Sequence, residues 1–422
     1  MSAASTPEHG LVLSAFRALR PAADGAELAA LLCPPYDVIG PQERADLIAA
    51  NPDNAVAVVL PEERDGQDRY ASAAALLDEW VDSGRFRVDV QEYLYVYEMR
   101  TAEGGVTRGL LGAVELRDPE DGVILPHENT MAGPVSDRLA LMSATRANVE
   151  PIYLVYDGGG AASDAVASVE GLSPLASTTT ADGIKHTLWG ISDADVLAAC
   201  AADLAGRRAL IADGHHRYAT YRQLQTQLQD ENGAGPWDFG LTLLVDSSSY
   251  GPQVHAIHRV VVGLGVDDAH DQALAWGLQV TPVADAEAAI AAAEGAAQFQ
   301  AVLTDGSSSY LVSDPDGALS RASAQPGEPA ALAELDVTML HRGLVEQVWK
   351  RPDTVESLTY AHSVAEALDA ARTTGGTAIL LRPTPVAAVA AVAAAGARMP
   401  RKSTLFTPKP ASGLVMRRFV DA

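Results

Sequence analysis

Residues 209–224 read ALIADGHHRYATYRQL, setting an acid, a glycine, two histidines and an arginine side by side. The apolar residues 209–212 before them suit a buried strand. Tyr218, Tyr221, Leu224 and Leu228 after them share one face of a helix. The segment therefore runs strand, tight turn, helix, with His215, His216 and Arg217 in the first helical turn. Backbone N–H groups lacking intrahelical partners gather there with the positive end of the helix dipole, which suits a phosphate. Gly214 allows close backbone approach, and Arg217 could add a forked pair of donors. A plainer reading makes Asp213 an N-cap and leaves the histidines solvated. Zinc shared by His215 and His216 is disfavoured, because adjacent helical residues point about 100° apart.

A second polar stretch, residues 125–151, reads LPHENTMAGPVSDRLALMSATRANVEP. His127 and Glu128 lie in a loop flanked by proline and glycine, followed by Thr130. A helix then opens near Asp137 and Arg138, and Arg146 and Asn148 close it. A loop His-Glu pair is a candidate general base or magnesium-linked group. The alternative is a hydrogen-bonded loop that staples the helix start, with Ser136 as its cap.

The third, residues 397–415, reads ARMPRKSTLFTPKPASGLV. Arg398, Arg401, Lys402 and Lys409 make it the densest positive segment of an acidic chain, and Ser403 and Thr404 add hydroxyls beside Lys402. Such a lysine can hold a phosphate or a carboxylate, although the glycines of a Walker A loop are missing. An edge strand protected by lysines and prolines is the competing account. Two smaller features are Asp37, in a rigid loop after Pro34 and Pro35, and His255, His258 and Arg259 beside a strand.

The elements that must position these groups follow from periodicity. Helices are expected over Pro41–Ala50 and residues 70–83, and strands over 92–100, 108–116, 151–157 and 239–247, with a hairpin at Gly104-Gly105. Residues 157–171 read as a Gly-rich connection or small insert. Beyond residue 263, alanine-rich helices alternate with short strands such as FQAVLT, SYLVS and TAILLRP. The expectation is an α+β protein: an N-terminal segment over 1–89, a mixed-sheet core over 90–262, and a C-terminal α+β lobe over 263–422 that returns the Lys402 loop to the cleft.

The chain has 422 residues, 48% of them hydrophobic, enough for a substantial core. Its net charge of −25 disfavours general binding to nucleic acid or anionic membranes, so local cations are informative. Two cysteines, Cys33 and Cys200, support neither a disulfide framework nor a cysteine zinc site. The opening MSAASTPEHGLVL lacks the pattern of a secretory leader, and the alanine-rich run near residue 390 is too short to span a bilayer. A cytoplasmic protein is expected. Its oligomeric state, a homodimer included, is open.

Taken together, CPPYDVIG, LPHENTMAGPVSDRLALMSATRANVEPIYLVY, IADGHHRYATY, AIHRVV and MPRKSTLFTPKPASGLV resemble the domain-of-unknown-function family numbered 1015, block by block and in order. More distantly, ADGHHRYATY is similar to the signature turn of the ParB/sulfiredoxin superfamily, which includes free serine kinases. That resemblance implies a ParB/sulfiredoxin-like core that binds ADP or ATP through Asp213, Gly214, His215, His216 and Arg217. It implies a phosphotransferase acting on serine or phosphoserine. Glu128 or His127 would be the base, and magnesium would sit on Glu128 or Asp213. Thr130, Arg138, Arg146, Asn148, Lys402, Ser403 and Thr404 would hold the substrate. His215 stands where sulfiredoxin has its catalytic cysteine, which excludes sulfinic-acid reduction by that route. Two further readings stay open: a regulatory protein that binds nucleotide or phosphate without transfer, and a His/Asp metal-dependent hydrolase.

Overall fold

A computed structural model describes residues 10–354 and 356–421. Residues 1–9, part of the opening read for leader features, lie outside the described residues. The chain folds as two compact units. The first takes the chain up to Pro126, Thr130–Pro252, and Pro408 onward; the second takes His127–Asn129 and Gln253–Thr407.

The first unit is built on a mixed sheet, nine-stranded among the described residues. In spatial order it runs Ile124–Leu125, Ala209–Asp213, Ile152–Tyr156, Phe239–Asp246, Val106–Glu115, Leu94–Arg100, Lys185–Ile191 and Ala176–Thr179, with Leu13–Ser14 also against Val106–Glu115. Ala209–Asp213 runs parallel to Ile124–Leu125, and Phe239–Asp246 parallel to Ile152–Tyr156; the remaining pairs are antiparallel. Strand alternation gives this sheet two characters. One face carries Val96, Leu110, Val114, Leu154, Ile211 and Leu244 into a core shared with Tyr218, Tyr221, Leu224 and Leu228 of the helix His215–Asn232. Tyr95, Tyr97 and Tyr153 alternate with those residues, are buried, and give the other face hydroxyl groups.

Two local expectations differ from the structure. The Gly-rich stretch contains a helix, Gly160–Ser168, whose Ala162, Ala165 and Val166 join the core. Its entry is pinned by Asp246, which accepts from Gly159 N at 3.1 Å and Ser163 Oγ at 2.6 Å. Alanine favours the helix once that turn is fixed. The helix expected to open at Asp137 spans Ala132–Thr145 instead, with Met131 at its N-cap position, so Ser136 is inside it and caps nothing. Pro134 is tolerated there because first-turn N–H groups need no intrahelical partner.

The second unit carries an antiparallel sheet, six-stranded among the described residues, in the order Gln279–Pro282, Ser309–Ser313, Gln300–Thr304, Thr377–Leu380, His258–Val261, Leu358–Ala361. Val260, Val302, Ala378 and Leu380 pack there against Ala367 and Ala371 of the helix Val364–Thr374. The unit also contains a ten-residue π-helix, Met339–Val348. No helix of the described residues is long and apolar enough to cross a membrane. Cys33 and Cys200 are buried and unbonded to each other.

Candidate functional site

The segment Ala209–Asp213 is a buried strand, and its pairing with Ile152–Tyr156 shifts register between Ile211 and Asp213. Such an irregularity re-aims a side chain at a strand end. Gly214 follows at φ +93, ψ 29 as the N-cap of the helix His215–Asn232, with no side chain capping it. Asp213 therefore closes the strand rather than capping the helix. A Cβ at Gly214 would lie 3.2 Å from Arg217 Nε and Cζ, so the position needs glycine for its backbone angle and for space.

Arg217 was expected to offer a forked donor pair to a phosphate. Instead it is 1% exposed, and its two terminal nitrogens donate to Pro151 O and Asp213 Oδ2. Its Nε, against Gly214, finds no partner among the described residues. Arginine spent in this way braces the turn from beneath. Burial alone would lower its pKa, but Asp213, Glu150 and Asp37 raise it well above the usual value, so it stays charged. His215 is buried, and His216 Nε2 accepts from Met131 N at 3.0 Å.

A second cation facing these acids is Lys409. Its Nζ lies 2.7 Å from Asp213 Oδ1 and 2.8 Å from Asp37 Oδ2. Burial opposes the charge on Lys409, yet the two carboxylates raise its pKa. For Asp37, burial works upward, but Lys409 and Arg217 outweigh it and hold the carboxyl below its ordinary value. Glu150 completes the group. Its Oε1 accepts from Tyr36 N at 3.0 Å and Ser412 Oγ at 2.9 Å, and its Oε2 lies 3.7 Å from Arg138. Burial pushes the Tyr36 phenol up to about 12, and Arg138 stacks on that ring at 4.3 Å. The segment bearing Lys409 lies over the tyrosine-bearing face of the sheet, where Ala411 N donates to Tyr97 Oη at 3.2 Å.

Sequence reasoning noticed Asp37 and Lys409 without joining them, and it overlooked Tyr36, Glu150 and Ser412. The signal was the rigidity around them: prolines precede Asp37 in CPPYD and flank Lys409 in TPKP, fixing the backbone near each charge.

Three of the expected substrate residues do structural tasks. Arg138 is 1% exposed and donates to Val59 O and Asp137 Oδ2. Asn148 is buried; its Oδ1 accepts from Leu241 N at 3.2 Å and from Arg417. Arg146, at φ +48, ends the helix Ala132–Thr145 in a left-handed cap with its side chain exposed. Thr130 is exposed.

His127, Glu128, Lys402, Ser403 and Thr404 belong to the second unit. His127 is fully buried, with Nε2 3.0 Å from Thr404 Oγ1, and its carbonyl accepts from Met399 N at 2.8 Å. Ser403 Oγ donates to Pro400 O at 2.5 Å, and Lys402 is exposed at φ +55. The strand Leu405–Thr407 after them pairs with Gln253–His255. Beneath the loop, Arg259 donates to Lys402 O at 2.7 Å and Arg401 O at 3.3 Å.

Among the described residues, no three or more His, Cys, Asp or Glu gather as a metal site. Magnesium on Asp213 would have to displace Lys409 or Arg217, which occupy both oxygens. As arranged, Asp213 does not fit a metal-ligand role.

Comparison with known proteins adds a family. The model of DUF1015, a protein family of unknown function, matches residues 13–338. No curated protein matches the sequence. Similar solved structures include a free serine kinase in complex with AMP, at 15% identity and TM-score 0.34, covering 67% of this chain and 83% of that one. A conserved hypothetical protein from Pyrococcus furiosus has 17% identity and TM-score 0.33, covering 68% and 88%. C-terminally truncated SbnI from Staphylococcus aureus has 12% identity and TM-score 0.34, covering 72% and 86%.

Proposed function

The chain belongs to the DUF1015 family, and from that premise we propose that it is a nucleotide-dependent phosphotransferase acting on a small hydroxy-amino acid, serine or phosphoserine. One observation carries the reading: Lys409 bridges Asp37 and Asp213 at the start of a glycine-capped helix. Phosphoryl transfer asks mainly for positioning and for cations against the phosphate oxygens. In this reading the helix start and Lys409 hold a phosphate of ADP or ATP, Gly214 admits it, and Arg217 keeps the turn rigid. The sequence resemblance of ADGHHRYATY supplies the substrate class.

The proton acceptor has three candidates. Glu128 and His127 are suggested by the resemblance. Asp37 is added by geometry, because its side chain is 38% exposed against 14% for Asp213, which leaves it the more accessible of the two carboxylates. Incubating the purified protein with magnesium and either ATP and serine or ADP and phosphoserine, followed by phosphorus NMR, tests the reading. Transfer in at least one direction is expected. Asp37→Asn and Glu128→Gln then identify the base by which one abolishes turnover while leaving nucleotide affinity intact. A folded protein that turns over neither pair would sink the assignment; tight nucleotide binding without turnover would support the regulatory reading.

A further inference from the structure

The second unit contains a cavity of about 650 Å³, a volume ordinary for small-molecule sites. Its walls are the π-helix Met339–Val348 with Asp353 after it, residues 395–401, and residues 325–332. π-helical turns are rare and are frequent at functional sites.

Charges in this cavity are unevenly committed. Arg342 is forked onto Glu328, at 2.5 and 3.1 Å. Arg398 and Arg401 line the cavity and, among the described residues, form no ion pair. Burial lowers the pKa of Arg398, the mark of a guanidinium held partly out of water without a counter-charge. Opposite them, Asp353 Oδ2 lies 2.9 Å from His341 Nδ1, whereas its Oδ1 is buried and finds no partner among the described residues. Buried polar atoms are almost always paired, so an orphaned acceptor calls for a donor.

The state of His341 follows from its neighbours. Arg259 Nε donates to His341 Nε2 at 3.2 Å, and a guanidinium has no acceptor to offer. Nε2 is therefore the bare nitrogen, and the proton sits on Nδ1, directed at Asp353. Burial lowers the His341 pKa, consistent with a neutral ring. Arg259 in turn grips the carbonyls of Lys402 and Arg401. One continuous chain of hydrogen bonds thus runs from the cavity wall to the backbone of the Lys402 loop.

We propose that this cavity binds a small phosphorylated molecule that also carries an ammonium group, its phosphate on Arg398 and Arg401 and its ammonium on Asp353 Oδ1. Two guanidinium groups outside any ion pair among the described residues match a phosphate dianion, and a carboxylate with one unused oxygen, on which Arg401 acts only through space, matches a cationic donor. Occupancy would be felt along Asp353, His341 and Arg259 at the Lys402 loop. The proposal stands on the second unit alone and does not need the phosphotransfer reading.

Calorimetric titration of the full chain with O-phosphoethanolamine, inorganic phosphate and ethanolamine tests it. Phosphoethanolamine should bind best, and Arg398→Met with Arg401→Met should weaken it by roughly tenfold or more, the worth of a lost charged hydrogen bond. Val90→Ser, at an exposed position of the other unit, should leave this affinity unchanged. Asp353→Asn should weaken phosphoethanolamine but spare inorganic phosphate, which separates loss of the ammonium contact from misfolding. Affinity unaffected by the double arginine variant, or no binding of any probe by the folded chain, overturns the proposal.

Discussion

Lys409 lies between two carboxylates that would repel each other without it. Replacing it with methionine leaves Asp37 and Asp213 facing one another partly out of water. Breaking one side of such a pair costs about 3 kcal/mol. Urea unfolding of Lys409→Met should show that loss together with weaker ADP binding; unchanged stability would mean the bridge contributes nothing. The sign of its pH dependence follows from both shifts. The Asp37 contribution is full above its ordinary 3.8 and fades as pH falls through its lower folded value. That of Lys409 is full below its ordinary 10.5 and fades as pH rises through its higher folded value. At neutral pH the bridge is therefore complete. Gly214→Ala should cost about 1–2 kcal/mol, because a side chain at φ +93 is strained, and should weaken nucleotide binding further. Nucleotide affinity equal to the parent's would remove the bend from the proposed site. At this scale the sequence was half legible. The Asp213–Arg217 turn is local and could be read from spacing, whereas Asp37 and Lys409 meet across 372 positions, where no periodicity links them.

Elements were more readable than contacts. Pro41–Ala50 is helical as its punctuation suggested, and Leu94–Arg100 follows the alternating tyrosines. The helix Gly160–Ser168 was not legible, because its start depends on Asp246, more than seventy residues downstream. Asp246 also accepts from Ser248 N at 2.7 Å and Ser248 Oγ at 2.6 Å, and these donors, outweighing burial, hold its carboxyl far below the usual range. A Cβ at Gly158 would fall 1.8 Å from Asp246 Oδ1. Gly158→Ala should therefore push that carboxylate away and cost upwards of ~1 kcal/mol, read from thermal unfolding. If Gly158→Ala melts with the parent, the tie does not anchor the helix. The π-helix Met339–Val348 escaped notice for a similar reason: its sequence, MLHRGLVEQV, has ordinary helical composition, and its widened turns are set by what it packs against.

Across the molecule, each unit contains a histidine that burial keeps neutral. His186 in the first unit and His258 in the second are both lowered to about 4 by desolvation, helped at His258 by Arg259 and opposed at His186 by Asp182. In the unfolded chain both protonate near 6.5, so unfolding takes up protons between pH 6.5 and 4 and stability falls across that window. A shift of that size corresponds to roughly 3 kcal/mol for each unit. Denaturation followed from pH 7 to pH 4 should show the decline, and His186→Gln should flatten it for the first unit. A parent protein equally stable at both ends of the range would refute the assignment. The mixed α+β architecture could be read from the alternation of patterns along the chain. The re-entry of residues 408–421 into the first unit could not, because a return path depends on tertiary contacts that leave no trace in local composition.

That re-entry imposes an order on biosynthesis. A ribosome would release both aspartates and the bend more than a hundred and fifty residues before Lys409, and must produce Gln253–Thr407 of the second unit in between. Until then the nascent first unit has Arg217 but not Lys409 beside these two acids, and chains interrupted after residue 407 stay in that condition. The final segment thus acts as a latch: the arrangement of charges around Asp37 and Asp213 is complete only when translation is nearly finished.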